Sequence, residues 1–407
     1  MSASLRLSRR NWGCKNQTRS VFPVSGGAQI ESGLYGDKIM DKTALLRTRD
    51  SGVDALKAFL ISGVVLVHLI AAVMPETYSP VALAIVKGAV SHYFMPLFVA
   101  VAGYYFASTV RKAPPFVVVI NKATELLLPV CIWYGGYSLF RGYEQLSFQS
   151  VIWILYKGIY GKVWFLGATF ASLFLIVLIW SISRGCRRLF VVLSLVCAVG
   201  LHFVYAPGSW ILNWNYHVPY LFPFAVLGYL FGLNKAGCLL TNIKCTLVCM
   251  VPYLLLCILA PANMSHWKSG TCLFSGTYSW QEVAWCSFYR DVIAAVGIVT
   301  MLPVLAVVWN RLSSNALLGR VIGVVGRNTL AVYIVQSFVV ERWIHGMKLH
   351  QYAFFCEYAT LMSWVGIPLV AVLMTVALAY MCVGVKRIPH LGRVLFGCKL
   401  IQYKKAP

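Results

Sequence analysis

The chain of 407 residues carries 35 Lys and Arg against 12 Asp and Glu, a formal net charge of +23, yet 59% of it is hydrophobic and only 12% charged. A water-soluble domain carries about 25% charged residues, so this composition excludes a soluble globular protein. Apolar runs near the ~20 residues needed to cross a bilayer recur along the chain, and the expected class is an all-α, polytopic transmembrane helix bundle.

Residues 1–49 are basic and lack a continuous apolar stretch, so they read as a poorly ordered cytoplasmic arm and not as a cleavable signal. Met40 offers an alternative start close to the first span. Apolar segments then follow near 52–73, 86–108, 116–140, 163–183, 189–206, 218–233, 245–261, 286–309, 321–344 and 361–384, predicting about ten spans. Residues 141–162 hold Trp153, Tyr156 and Tyr160 and read as an interfacial helix at the outer surface. Residues 385–407 form a basic tail, which leaves 50–384 as the membrane domain.

Orientation follows from the short connections, because cytoplasmic loops accumulate Lys and Arg. Arg111 and Lys112 follow the second span, Arg184, Arg187 and Arg188 the fourth, and Lys235 and Lys244 the sixth. Arg311 and Arg320 follow the eighth, and Lys386, Arg387 and Arg393 the tenth. The connection 207–217 carries no charge. Both termini are therefore expected in the cytoplasm, with 207–217 and 262–285 outside. This pattern accounts for most of the positive excess without nucleic acid, and leaves a few cations for a phosphate-bearing substrate.

The 13 cysteines form no C-x-x-C pair, and most stand in apolar runs, where Cys packs as a small hydrophobe. Cys272 and Cys286 alone fall near one outer loop. The histidines outside the first span are too scattered to propose a metal site, and no Walker A sequence or G-x-S-x-G elbow occurs.

Ionisable residues inside spans are costly and mark function by default. The first span holds Asp54, Lys57 and His68. On an α-helix, 11 residues make three turns plus about 20°, and 14 fall about 40° short of four turns, so the three share one stripe. Lys57 and His68 stand roughly 16 Å apart along the axis. Asp54 and Lys57 are spaced to pair, which would also suit a plain interfacial ion pair. His68 stands in VVLVHLIAAV without a polar neighbour, where it either bonds a neighbouring carbonyl or acts as a base.

The stretch RDSGVDALKAFLISGVVLVH resembles the first helix of acyltransferase family 3, the membrane acyltransferases of bacterial surface and exported glycans. Asp54, Lys57 and His68 fill that family's D-x-L-R and His positions, with Lys for the usual Arg. Further likenesses follow in order: PLFVAVAGYYFAS (96–108), NKATELLLPVCIWY (121–134), GKVWFLGATF (161–170), FPFAVLGYLFG (222–232) and IGVVGRNTLAVYIVQ (322–336). In the third-helix element Lys122 keeps one basic position while Glu125 replaces the other, and Gln336 replaces a terminal His.

The resemblance implies an acyl-CoA-dependent O-acyltransferase of the bacterial inner (cytoplasmic) membrane. Acetyl-CoA would be a co-substrate with no permanently bound cofactor, and the acceptor a sugar hydroxyl of a surface polysaccharide, exopolysaccharide or lipid-linked precursor. His68 would be base or acyl carrier, and Asp54, the second catalytic candidate, would hold Lys57 or orient a neighbour. Lys57 and Lys122 would face the donor's phosphates. Glu125, Trp164, Arg290 and Asp291 are candidate substrate contacts, with plainer alternatives open: Glu125 reads first as a salt-bridge partner for Lys122, Trp164 as a packing aromatic, and Arg290 with Asp291 as markers of the outer interface. Two rival readings stay open: a transporter or flippase for a glycan intermediate, and a non-catalytic subunit of glycan synthesis.

Overall fold

The computed structural model describes residues 51–73, 80–140, 163–203, 217–234, 243–259, 280–388 and 390–397, and every regular element in them is helical. The expected N-terminal arm, the interfacial helix at 141–162, the connection 207–216 and residues 262–279 lie outside the described residues. The helices are α1 (Ser51–Val73), α2 (Pro80–Val110), α3 (Pro115–Phe140), α4 (Trp164–Ile182), α5 (Arg187–Phe203) and α6 (Val218–Asn234). There follow α7 (Ile243–Leu259), α8 (Trp280–Leu312), α9 (Ala316–Arg327), α10 (Thr329–Phe338), α11 (Ile367–Lys386) and α12 (Leu391–Phe396).

Six of the described helices are long and apolar enough to cross a membrane, and α9 with α10 makes a seventh if the pair is one broken span. Ten were expected. Helices do stand where three of the others were placed, but α5, α6 and α7 have 17 residues each. A helix of that length rises about 26 Å, a little short of the ~30 Å hydrocarbon core.

Large apolar side chains that would be anomalous in water, such as Val248, Ile258 and Leu369, are exposed along α7 and α11. An outward apolar face is what a bundle in lipid requires, because lipid, unlike water, does not drive such residues inward. The inner core is built instead on α1, α2, α4 and α6, with Leu60, Val99, Ile176 and Leu221 closed from solvent.

The α2–α6 pair is the most extensive contact in the bundle. A side chain at Gly228 would run into the backbone of Ala100, one at Gly103 into Ala225, and one at Gly232 into Tyr104. Gly228 and Gly232 are a G-x-x-x-G pair that lets two helix backbones touch. Enlarging Gly228 to Leu forces the helices apart, and overpacking of this kind costs about 1–3 kcal/mol. A fall in the detergent-solubilised protein's Tm is the expected result. An unchanged Tm would mean that this contact carries no stability.

α9 and α10 meet at a bend of 71°. Asn315 caps α9, accepting from the amides of Leu317 at 3.0 Å and Leu318 at 3.1 Å. At the bend, Asn328 Nδ2 donates to the Val324 carbonyl at 2.8 Å, and its Oδ1 accepts from Lys386 Nζ at 2.9 Å. Thr329 Oγ1 donates to the Gly326 carbonyl at 2.7 Å. The break is thus held by side chains that satisfy the backbone carbonyls a broken helix would otherwise leave bare. Beyond α10 the chain widens into a π-helical segment, Val339–Ile344.

Candidate functional site

The bend in α9–α10 is fixed to the first turn of α1. Gly326 lies so close to the Asp54 backbone that no side chain would fit there. Asp54 itself is buried at this contact, 4% exposed. From that anchor α10 runs beside α1, and two sites form between them and their neighbours.

The first is a cavity of about 480 Å³. Lys57 and Ile61 reach it from α1, Ala102 and Tyr105 from α2, and Lys122 and Glu125 from α3. Phe165 of α4 and Tyr333 of α10 also line it, their rings edge to face with centroids 5.7 Å apart. Arg327 and Thr329 enter from the bend. Lys122 Nζ donates to Glu125 Oε2 at 2.5 Å, and Lys57 Nζ stands 5.3 Å from the Tyr105 ring centroid. Three cations against one carboxylate leave a net charge of +2 on the lining (3 − 1). The α10 N-terminus adds partial positive charge from its amides. An anion, above all a phosphate, fits such a lining.

The second is an imidazole–carboxylate pair. His68 Nδ1 lies 3.2 Å from Glu341 Oε1, their side chains 24% and 10% exposed. Glu341 sits in the π-helical segment, an irregularity frequent at functional sites. A carboxylate at Nδ1 holds the proton on that nitrogen and makes Nε2 the basic one. His68 stands seven residues beyond Ile61 on α1, about 10 Å past the cavity-lining turn. Tyr333, in the cavity lining, is within electrostatic reach of Glu341.

The other sequence-derived candidates lie apart from the cavity. Trp164, at the first turn of α4, stacks on His217 with centroids 3.7 Å apart. Arg290 Nε is 3.6 Å from Asp291 Oδ1, and the guanidinium lies 4.2 Å from the Tyr220 ring centroid. Asp54 is not in the cavity lining, and Gln336 is fully buried on α10. The structure therefore gathers Lys57, Lys122 and Glu125 in one place, His68 in a second, and Trp164, Arg290 and Asp291 in neither.

Sequence reasoning missed Arg327 and Glu341. Each had a signal: Gly326-Arg327-Asn328 interrupts an apolar run, and Glu341 ends one. His217 was set aside among scattered histidines.

Residues 50–383 match the family described as an acyltransferase domain. The chain is 26% identical to the nodulation protein NolL of Sinorhizobium fredii over 297 residues, which cover 72% of this chain and 78% of that protein. It is 25% identical to the nodulation protein NolL of Mesorhizobium japonicum over 187 residues, 45% of this chain and 48% of the other. No solved structure matches.

Proposed function

The chain belongs to acyltransferase family 3, and from that premise we propose that it moves an acetyl or other short acyl group from acyl-CoA to a sugar hydroxyl. One observation carries this reading. A cavity with Lys57, Lys122 and Arg327 in its lining lies against α1 and α10, and farther along α1 the π-helical segment that continues α10 brings Glu341 to His68. The phosphates of the donor would lie among the cations, with its pantetheine arm extended along α1 toward His68. Glu125 would keep Lys122 in place. Asp54, buried against Gly326, would fix the register of α1 and α9.

In the reaction, His68 Nε2 takes the proton from the acceptor hydroxyl as its oxygen attacks the thioester carbonyl. The carbon–sulfur bond breaks and the coenzyme A thiolate leaves, taking up that proton from the imidazolium. Glu341 stabilises the imidazolium between the two steps. The same Nε2 would carry the acyl group in a two-step transfer, and trapping an acyl-histidine from labelled donor tells the two routes apart. The acceptor would be a surface polysaccharide, an exopolysaccharide or its lipid-linked precursor, and the site of action a bacterial inner membrane.

Donor affinity tests the cationic cavity. A charge-assisted bond to phosphate in a partly desolvated site contributes about 2–3 kcal/mol, so Lys57→Ala or Arg327→Ala should raise the acyl-CoA KM about 30- to 150-fold. Lys57→Arg should keep it. If both alanine variants bind acyl-CoA as the parent does, the donor is held elsewhere. The transporter and the non-catalytic subunit share one discriminating outcome: purified protein that neither hydrolyses nor transfers from labelled acetyl-CoA.

The arrangement of about ten spans with both termini in the cytoplasm rests on the alternation of Lys and Arg between connections. A cysteine placed at Trp210 should react with an impermeant maleimide from the outer side alone. Reaction only from the cytoplasmic side would invert the topology, and with it the side of donor entry.

A further inference from the structure

Arg290 is 3% exposed in a membrane-embedded bundle, where an unpaired charge is costly. Among the described residues its Nε has no hydrogen-bond acceptor. The 3.6 Å separation from Asp291 is too long for a hydrogen bond, and the Tyr220 ring meets the guanidinium through its face. A guanidinium kept only to hold helices together would be expected to close its fork on a carboxylate or on backbone carbonyls. Here Nε is left without an acceptor among the described residues. Tyr220 is itself held in place, its hydroxyl donating to the His92 carbonyl at 2.8 Å.

Beside this group stands an aromatic platform. The Trp164 and His217 rings are 29° from parallel, both are half-buried, and Arg290 is within electrostatic reach of His217 and Tyr220. Trp164 also adjoins Phe165, which lines the proposed donor cavity together with Tyr333. The cluster therefore begins one residue beyond the donor cavity, at the end of α4 away from its basic connection.

We propose that Trp164, His217, Tyr220, Arg290 and Asp291 form a binding site for a neutral pyranose, the acceptor sugar of the transfer. The apolar face of the ring lies on the Trp164–His217 stack. Arg290 donates to ring hydroxyl oxygens, and Asp291 accepts from an adjacent hydroxyl. Apolar walls with a few fixed polar groups are the usual composition of a small-ligand site. The assignment of the sugar as acceptor rests on the acyltransferase reading above, whereas the binding itself does not.

The test is saturation-transfer NMR on the purified full chain in detergent, with the methyl pyranosides of glucose, galactose and mannose as probes and inorganic phosphate as competitor. Ring protons of at least one glycoside should receive saturation from the parent protein. Trp164→Ala and Arg290→Gln should each weaken that binding about tenfold, while Trp164→Phe, which keeps a ring on His217, should retain it. No transfer to any probe, transfer unaltered in both weakened variants, or displacement by phosphate at equal concentration would overturn the proposal. Turnover of labelled acetyl-CoA by the same parent sample separates the two readings. Sugar binding without turnover removes the enzyme and leaves the sugar site, and turnover without sugar binding does the reverse.

Discussion

Replacing His68 with Gln should leave a protein that inserts, accumulates and still binds acyl-CoA, while acylation of the glycan all but disappears. Gln keeps a hydrogen-bonding side chain of similar size and loses the base. Losing general-base assistance removes about 10²- to 10⁴-fold in rate, and losing a covalent carrier would remove more. The cavity proposed for the donor is lined by Lys57, Lys122 and Arg327 and not by His68. A packing role predicts the opposite pattern: a drop in membrane abundance with the specific activity of the remaining protein preserved. Membrane level and acyl content of the glycan, measured on the same cells, tell the two apart. A well-expressed His68→Gln variant that acylates above about a tenth of the parental rate, far over the range expected for a lost base, would remove His68 from the chemistry.

That residue was legible because helical periodicity alone puts it on one stripe with Asp54 and Lys57. The cation pair Lys57 and Lys122 was legible only by family likeness, since they stand on different helices. What brings them to one cavity is the packing of α1, α2 and α3, which hydropathy does not encode. Arg327 was hidden for a related reason. Residues 321–344 read as one continuous apolar span, and in that reading Arg327 has no special position. The 71° bend divides the run and turns Arg327 and the first turn of α10 toward the cavity. The bend depends on Asn328 bonding both to Val324 and to Lys386, 58 residues away in sequence. The overall class was readable for the simplest cause, because a chain with so few charges and such long apolar runs has no other folded option than lipid. The span count was less readable, since a run of apolar residues does not reveal where a helix of 17 residues will end.

Glu341 is the deepest of the missed residues, and replacing it with Gln is expected to have the second largest effect. The π-helical segment Val339–Ile344 shifts the facing of every residue after Phe338, so counting turns from Tyr333 does not point Glu341 at α1. In the structure its Oε1 lies 3.2 Å from His68 Nδ1. Gln can occupy the same space and still accept a hydrogen bond, but it brings no negative charge to stabilise the imidazolium. It also offers an amide that can donate, and so favours the wrong tautomer of His68. Removing the carboxylate behind a catalytic imidazole while keeping the geometry lowers kcat by up to about 10⁴-fold in the best-studied hydrolases, and about 10²- to 10⁴-fold is expected here. The acyl-CoA KM should hardly move, because the cations proposed to bind the donor's phosphates are other residues. Glu341→Asp, with the charge kept on a shorter arm, should recover part of the rate. A residue that merely packs the π-helical turn would give neither the split between kcat and KM nor the ranking of Asp above Gln. If Glu341→Gln turns over as the parent does, His68 works without a carboxylate partner, and the pair seen at 3.2 Å is a structural contact.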